Sequence, residues 1–250
     1  MITQYHRPGT LDEALTLLNQ PDTQPLGGGT LLSHQTAGSV QVVDLQALGL
    51  DTLSQAGNTL ELGATLTLQS LLESAQCPAG LKTTLKLEAP LNLRNSATVA
   101  GTLIACDGRS TFASMLLAMD ARVTVKSTQS GEETLNLGDL LPLREQVRGK
   151  LITKVTIPTN LKLAFDYVAK TPSDKPLVCV AVAGWGSGRR RVSVGGYGHS
   201  PLLAMDGTDS DDAATAVRNA YHEAHDEWAS AEYRMDVAAT LVQRCLEQLA

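Results

Sequence analysis

Asn92–Ala121, NLRNSATVAGTLIACDGRSTFASMLLAMDA, is the stretch whose reading decides the fold. Its pattern predicts a polar turn, a glycine-containing strand start at Thr98–Thr102, a second turn at Asp107–Ser110, and an apolar helix from about Ser110 to Met119. A second stretch, Pro25–Leu32, PLGGGTLL, sets three successive glycines between an apolar residue and a threonine. Either stretch alone marks only a turn. Separated by one intervening module, the pair reads as two halves of a cradle for a phosphate-bearing ligand.

Working outward, the chain of 250 residues is 43% hydrophobic, and at this length about three quarters of the unfolded surface is buried on folding, so a self-sufficient core is expected. Twenty basic against 26 acidic residues give a formal charge of -6, and the only basic run is Arg189–Arg191. Nucleic-acid binding is therefore disfavoured. Cys77, Cys106, Cys179 and Cys245 form no CxxC pair, which argues against a zinc site, an iron-sulfur cluster or a disulfide framework and for reduced thiols in a cytoplasmic protein. The opening MITQYHRPGTLDEA has no apolar signal core, and no window approaches the length of a membrane span, so a soluble, untargeted chain is expected.

Thr10 followed by Glu13 predicts a capping box, with Leu11, Ala14, Leu15 and Leu18 as the helix stripe and Pro21 as its end. Val40–Asp44 reads as a strand, giving a small βαββ unit. A second unit opens with the alternating Thr59–Gly63, continues through helical spacing at Leu68, Leu71 and Leu72 and a helix near Leu81–Leu87, and closes with strands at Arg122–Lys126 and Leu151–Ile157. Ser127–Glu133 is polar enough for a surface turn. In the final third, the strand Leu177–Ala183, the charged turn Gly188–Arg191 and the strand Val192–Val194 predict an antiparallel hairpin. Thr208 with Asp211 would cap a helix running to about Trp228, and Val237, Leu241, Cys245 and Leu249 mark a terminal helix.

An acidic chain without a basic cluster must hold a diphosphate with backbone amides, and Gly27, Gly28 and Gly29 suit that task because glycine tolerates positive φ and has no Cβ. Thr30 would add a hydroxyl donor. The run is neither GxGxxG nor GxxxxGK[ST], so it implies no Rossmann fold or P-loop. His222 and His225 are three apart, not the four that a zincin helix needs. Ser187 in GWGSG does not match the GxSxG elbow, and Tyr167, Tyr197 and Tyr233 are ordinary core or interface aromatics.

Thr98, Val99, Ala100, Gly101 and Thr102, together with Leu26–Leu32, resemble the paired flavin-contacting segments of the FAD-binding medium subunits of molybdenum hydroxylases, the xanthine dehydrogenase and aerobic carbon monoxide dehydrogenase family. Leu116–Ala121, FDYVAKTPSDKPLVCVAVA from Phe165 and ASAEYRMDVAATLVQRCLE from Ala229 continue the resemblance over nearly the whole chain. It implies an α+β protein: a two-subdomain FAD-binding domain of the PCMH or vanillyl-alcohol-oxidase-like type, residues 1–55 and 56–160, followed by a small antiparallel-sheet-plus-helices C-terminal domain, residues 161–250. It also implies FAD as cofactor, no covalent catalysis by the chain's own side chains, and electrons arriving from [2Fe-2S] clusters on a small subunit and a molybdopterin-binding large subunit. They would leave to NAD, a quinone or another acceptor.

Carried over by position, the resemblance sets Leu26, Gly27, Gly28, Gly29, Thr30, Leu31 and Leu32 with Thr98–Thr102 around the diphosphate and ribityl chain. Ile152 and Thr153 fall near the isoalloxazine, and Lys170 and Lys175 on the flavin side, where a cation would favour the anionic reduced ring. Ala100 and Thr102 stand where the family often has Gly and Asn, and Thr111 where it often has Asp, with Asp107 nearby to take part of that role. These departures reduce the hydrogen bonds offered to FAD and motivate an alternative, a flavin-free structural or assembly subunit with the same fold.

Overall fold

Local signals set most of the elements in the structure, a computed structural model that describes residues 1–32 and 38–249. In chain order these are β1 (Ile2–His6), α1 (Leu11–Leu18), β2 (Thr23–Leu26), β3 (Val40–Asp44), β4 (Leu53–Ala56), β5 (Thr59–Gly63), α2 (Leu68–Glu73), α3 (Ala79–Glu88), α4 (Leu91–Arg94) and α5 (Val99–Ala105). They are followed by α6 (Thr111–Ala118), β6 (Arg122–Ser127), β7 (Gly131–Asn136), α7 (Leu137–Leu140), β8 (Leu151–Pro158), β9 (Leu161–Val168), β10 (Val178–Trp185), β11 (Arg190–Gly195), β12 (Leu202–Gly207), α8 (Ala213–Ala220) and α9 (Ala231–Leu249). The chain divides into two units, one of residues 1–74, 91–105 and 122–156, the other of residues 75–90, 106–121 and 157–250.

The first unit holds two sheets. One is parallel, in the order β1-β3-β2, and α1 buries Ala14, Leu15 and Leu18 with Val43, Leu45 and Leu151 in one cluster. Thr10 caps α1 as expected, its Oγ1 accepting from the Glu13 amide at 3.3 Å, but the Glu13 carboxylate returns to the Gly9 amide at 3.1 Å instead of to Thr10. The other sheet has the order β4-β5-β8-β6-β7, with antiparallel pairing in β4–β5, β6–β7 and β6–β8.

One element differs in kind from the expectation. The strand start anticipated at Thr98–Thr102 is the first turn of a helix, α5. Thr98 is extended only far enough to make an isolated bridge with Thr67, after which its Oγ1 accepts from the Gly101 amide at 3.2 Å and its carbonyl from Thr102 at 2.8 Å. An N-cap threonine ahead of apolar residues four apart, Val99 and Leu103, both fully buried, favours helix over strand.

The second unit is an antiparallel sheet, β12-β11-β10-β9, with α3, α6, α8 and α9. Val178–Ala183 is buried on both faces, which is why it reads as an unbroken apolar run. Val178, Val180 and Val182 share a core with Val217 and Tyr221 of the α8 end and Ala238, Leu241, Val242 and Cys245 of α9, while Cys179 lies 3.8 Å from Ser114 Oγ of α6. The helix expected to start at Thr208–Asp211 and run to Trp228 is shorter: α8 begins after Asp212, which makes no side-chain cap bond, and ends at Ala220. Cys77, Cys106, Cys179 and Cys245 are buried thiols not joined in disulfides, and burial pushes the Cys179 and Cys245 thiols up to about 12.

Candidate functional site

Within the first unit, the glycine bend after β2 packs against the turn that leads into α5. A Cβ added to Gly28 would lie 1.5 Å from the Ser96 carbonyl oxygen, and one on Gly27 would lie 2.9 Å from Thr98 Oγ1. Of the three glycines only Gly29 uses the left-handed region, at φ 70°. Gly27 and Gly28 serve close backbone approach instead.

This junction opens on a cleft of about 1150 Å³. Of the residues assigned from sequence, Gly27, Gly29, Thr30, Leu31, Leu32, Thr98, Ala100, Gly101 and Ile152 line it. Leu26 ends β2, Gly28 sits against Ser96, and Val99 is fully buried under α5. Thr153 pairs in β8, its hydroxyl donating to the Thr124 carbonyl at 3.4 Å. Sequence reasoning missed Ile104 and Ala105, on the same helical face as Ala100 and Gly101, and the turn Arg144–Lys150. The i, i+4 relation of Ala100 and Ile104 would have found the first once Thr98 was taken as a cap.

The two halves of the junction differ in their main-chain donors. In α5 the amides of Val99, Ala100, Gly101 and Thr102 are already bonded to Leu66 O (2.9 Å), Ala64 O (3.1 Å), Thr98 Oγ1 (3.2 Å) and Thr98 O (2.8 Å). The amides of Gly27 and Gly28, by contrast, find no acceptor among the described residues. Thr102 Oγ1 is buried and also has no partner among them. An unmatched buried hydroxyl costs about 1–3 kcal/mol unless a ligand or water meets it.

Asp107, Thr111, Lys170 and Lys175 belong to the second unit and are engaged inside it. Asp107 Oδ1 accepts from the Arg109 amide at 2.9 Å and pairs with Lys175 Nζ at 3.4 Å. The Thr111 hydroxyl, fully buried, donates to Thr84 O at 2.8 Å. Lys170 Nζ lies 4.3 Å from the Trp228 ring centre, and Arg109 faces the same ring at 5.2 Å.

The cleft is large enough for an extended dinucleotide: its volume exceeds the usual small-ligand range of about 300–1,000 Å³, and its lining mixes apolar with polar side chains.

Comparison with known proteins agrees. The profile of the family described as FAD binding domain in molybdopterin dehydrogenase matches residues 1–160. The chain is 26% identical over 251 residues to uncharacterized protein YgfM of Escherichia coli (strain K12), covering 97% of this chain and 94% of that protein. It is 23% identical over 276 residues to the glyceraldehyde dehydrogenase medium chain of Sulfolobus acidocaldarius, covering 98% of each. Among solved structures, reconstituted CO dehydrogenase from Oligotropha carboxidovorans superposes with a TM-score of 0.84 at 24% identity, over 98% of this chain and 96% of that one, so the two share a fold. No helix among the described residues is long and apolar enough to cross a membrane. The matched profile, over more than half of the chain, establishes that the chain belongs to the FAD-binding domain family of the molybdopterin dehydrogenases, oxidoreductases whose flavin cofactor is FAD.

Proposed function

We propose that this chain is the electron-transfer subunit of a molybdenum hydroxylase complex, receiving electrons from [2Fe-2S] clusters on a small subunit supplied by a molybdopterin-binding large subunit. The observation that carries this reading is the cleft where the Gly27–Gly28 bend is pressed against Ser96 and Thr98. Gly27 and Gly28 would hold the diphosphate through their amides, Thr30 would add a hydroxyl, and Leu31, Leu32, Ala100, Gly101 and Ile152 would confine the remainder. Residues 1–55 and 56–160 are read as the two FAD-binding subdomains and 161–250 as the C-terminal domain. When bound, FAD supplies the exchange of electrons between the clusters and NAD, a quinone or another acceptor. The cleft residues bind, orient and exclude water, and none is required as nucleophile or base. Two relatives are named as a dehydrogenase medium chain and a dehydrogenase complex subunit, which supports a multi-subunit setting.

Titration of the purified chain with FAD, followed by quenching of flavin fluorescence, is expected to saturate at one flavin per chain. Affinity capture from the source cells is expected to retrieve a molybdopterin-binding chain and a [2Fe-2S] chain. A second reading, a flavin-free assembly subunit, is favoured by one set of facts: the paired amides of α5, the methyl of Ala100 and the buried commitment of Thr111 to Thr84. That reading predicts capture of the same partners with no flavin taken up, and saturation with FAD excludes it.

A further inference from the structure

The amides of Gly27 and Gly28 carry no formal charge, yet a diphosphate brings about two negative charges into a chain whose own charge is -6. The cleft supplies a cation that sequence reading passed over. Arg144, Arg148 and Lys150 all line it, on the turn that precedes β8. Lys150 is neutralised by Glu133 at 2.7 Å, and Arg144 has an interaction partner of its own. Arg148 is exposed, and among the described residues no carboxylate lies within ion-pair distance of it. Asp22 and Glu145 are the acids of the lining, and neither pairs with it.

The turn is held in place. The Arg148 amide donates to Glu145 O at 3.1 Å, the Lys150 amide donates to Val147 O at 3.0 Å, and Gly149 takes φ 73°, a conformation that other residues adopt only with strain. A Cβ on Gly149 would meet Asn19 Oδ1 at 3.4 Å, so the turn abuts the end of α1, where the Asn19 side chain is itself fixed by its Nδ2 donating to Leu15 O at 2.8 Å. Arg148 is thus carried on a fixed backbone at the cleft wall.

We propose that Arg148 is the charge partner of the nucleoside-diphosphate half of the ligand, so that the cleft recognises ADP-bearing molecules by their phosphates and ADP itself competes with FAD. This rests on the FAD reading above and adds to it a residue and a ligand class. Guanidinium–phosphate pairing is directional and often bidentate, and at an exposed position it is screened by salt.

The test titrates the full-length chain and Arg148→Gln with FAD, ADP and riboflavin at low and high salt. For Arg148→Gln, FAD and ADP are expected to bind about fivefold more weakly, with a smaller salt dependence, while riboflavin, which lacks phosphate, is unaffected. Arg148→Lys should recover part of the loss, and an unchanged unfolding temperature shows that the turn is intact. Equal FAD and ADP affinity in the wild type and Arg148→Gln overturns the proposal, as does an equal loss for riboflavin. A wild-type chain that takes up neither FAD nor ADP instead overturns the FAD reading itself, a distinguishable result.

Discussion

A single methyl group at Gly28 tests whether the cleft depends on its closest backbone contact. The Ser96 carbonyl occupies the space a Cβ would need, at 1.5 Å, so Gly28→Ala forces either the bend or the Ser96 turn to move. Urea unfolding should show a loss of about 2–4 kcal/mol, accompanied by much weaker FAD uptake. Gly9→Ala, where nothing lies within 4 Å, serves as the control and should change neither. If Gly28→Ala folds and binds as the wild type does, the contact is not a constraint. The importance of the triglycine was legible in the sequence, but its reason was not. Of the two reasons read from the sequence, positive φ is used only by Gly29, and the missing Cβ at Gly28 makes room for the Ser96 carbonyl instead of for a ligand. The partner of Gly28 lies 68 residues away in sequence, and no local pattern encodes so distant an approach.

Among the elements, α6 shows how a helix start can rest on a neighbour. Glu88, the last residue of α3, accepts from Ser110 Oγ at 2.8 Å, from the Phe112 amide at 2.9 Å and from Thr111 Oγ1 at 3.3 Å, placing a carboxylate on the orphan donors at the N-terminus of α6. Glu88→Ala should lower stability by about 2 kcal/mol, with Glu88→Gln losing roughly half as much because one acceptor remains. Denaturant midpoints with unchanged slopes would check this, and equal losses for the two variants would count against the carboxylate's role. The far end of α6 closes with Ala121 N bonded to Leu116 O and Asp120 N to Leu117 O, a Schellman ending in which Asp120, at φ 60°, stands where glycine is usual. Both ends of α6 were readable, since caps and apolar runs are local signals. By contrast, β7 was not: GEETLN buries little, with Thr134 and Asn136 flanking the one apolar Leu135, so the strand is set by pairing with β6 and reads as polar turn. Missing the helix at α5 had the opposite cause, a threonine and a glycine taken as the start of a strand when Thr98 was a cap.

For the molecule as a whole, the resemblance ran evenly along the chain because collinear order survives divergence, whereas the division into two units, with residues 75–90 and 106–121 grouped with 157–250, is long-range and left no local trace. Charge is distributed unevenly too, and that governs acid stability. In the second unit Arg189 makes a bidentate pair with Asp206 at 2.7 and 2.8 Å, and Arg191, almost fully buried, reaches Asp206 at 2.6 Å and Asp120 at 3.1 Å. The hydrogen bond from Arg189, helped by the charge of Arg191 and opposed by partial burial, holds the Asp206 carboxyl below its ordinary value. At Asp226, burial pushes the carboxyl up but is outweighed by Arg234 and the amides of Trp228 and Ala229, leaving it lowered as well. A carboxyl lowered on folding binds protons more readily in the unfolded chain, so its stabilisation is fully present above the ordinary carboxylate value of about 4 and is lost as pH falls through the folded value. The unfolding temperature should therefore hold steady from neutral pH down to about pH 4 and drop steeply below it. In Asp206→Asn the neutral-pH stability should fall by about 2 kcal/mol, because Arg191 stays buried with one carboxylate fewer, and the acid limb should be shallower than in the wild type. An Asp206→Asn profile parallel to that of the wild type would place the acid sensitivity elsewhere. Since Arg148 and the glycine bend lie in the first unit, flavin binding by this variant at neutral pH should match the wild type, separating the charge network that stabilises one unit from the cleft that serves the other.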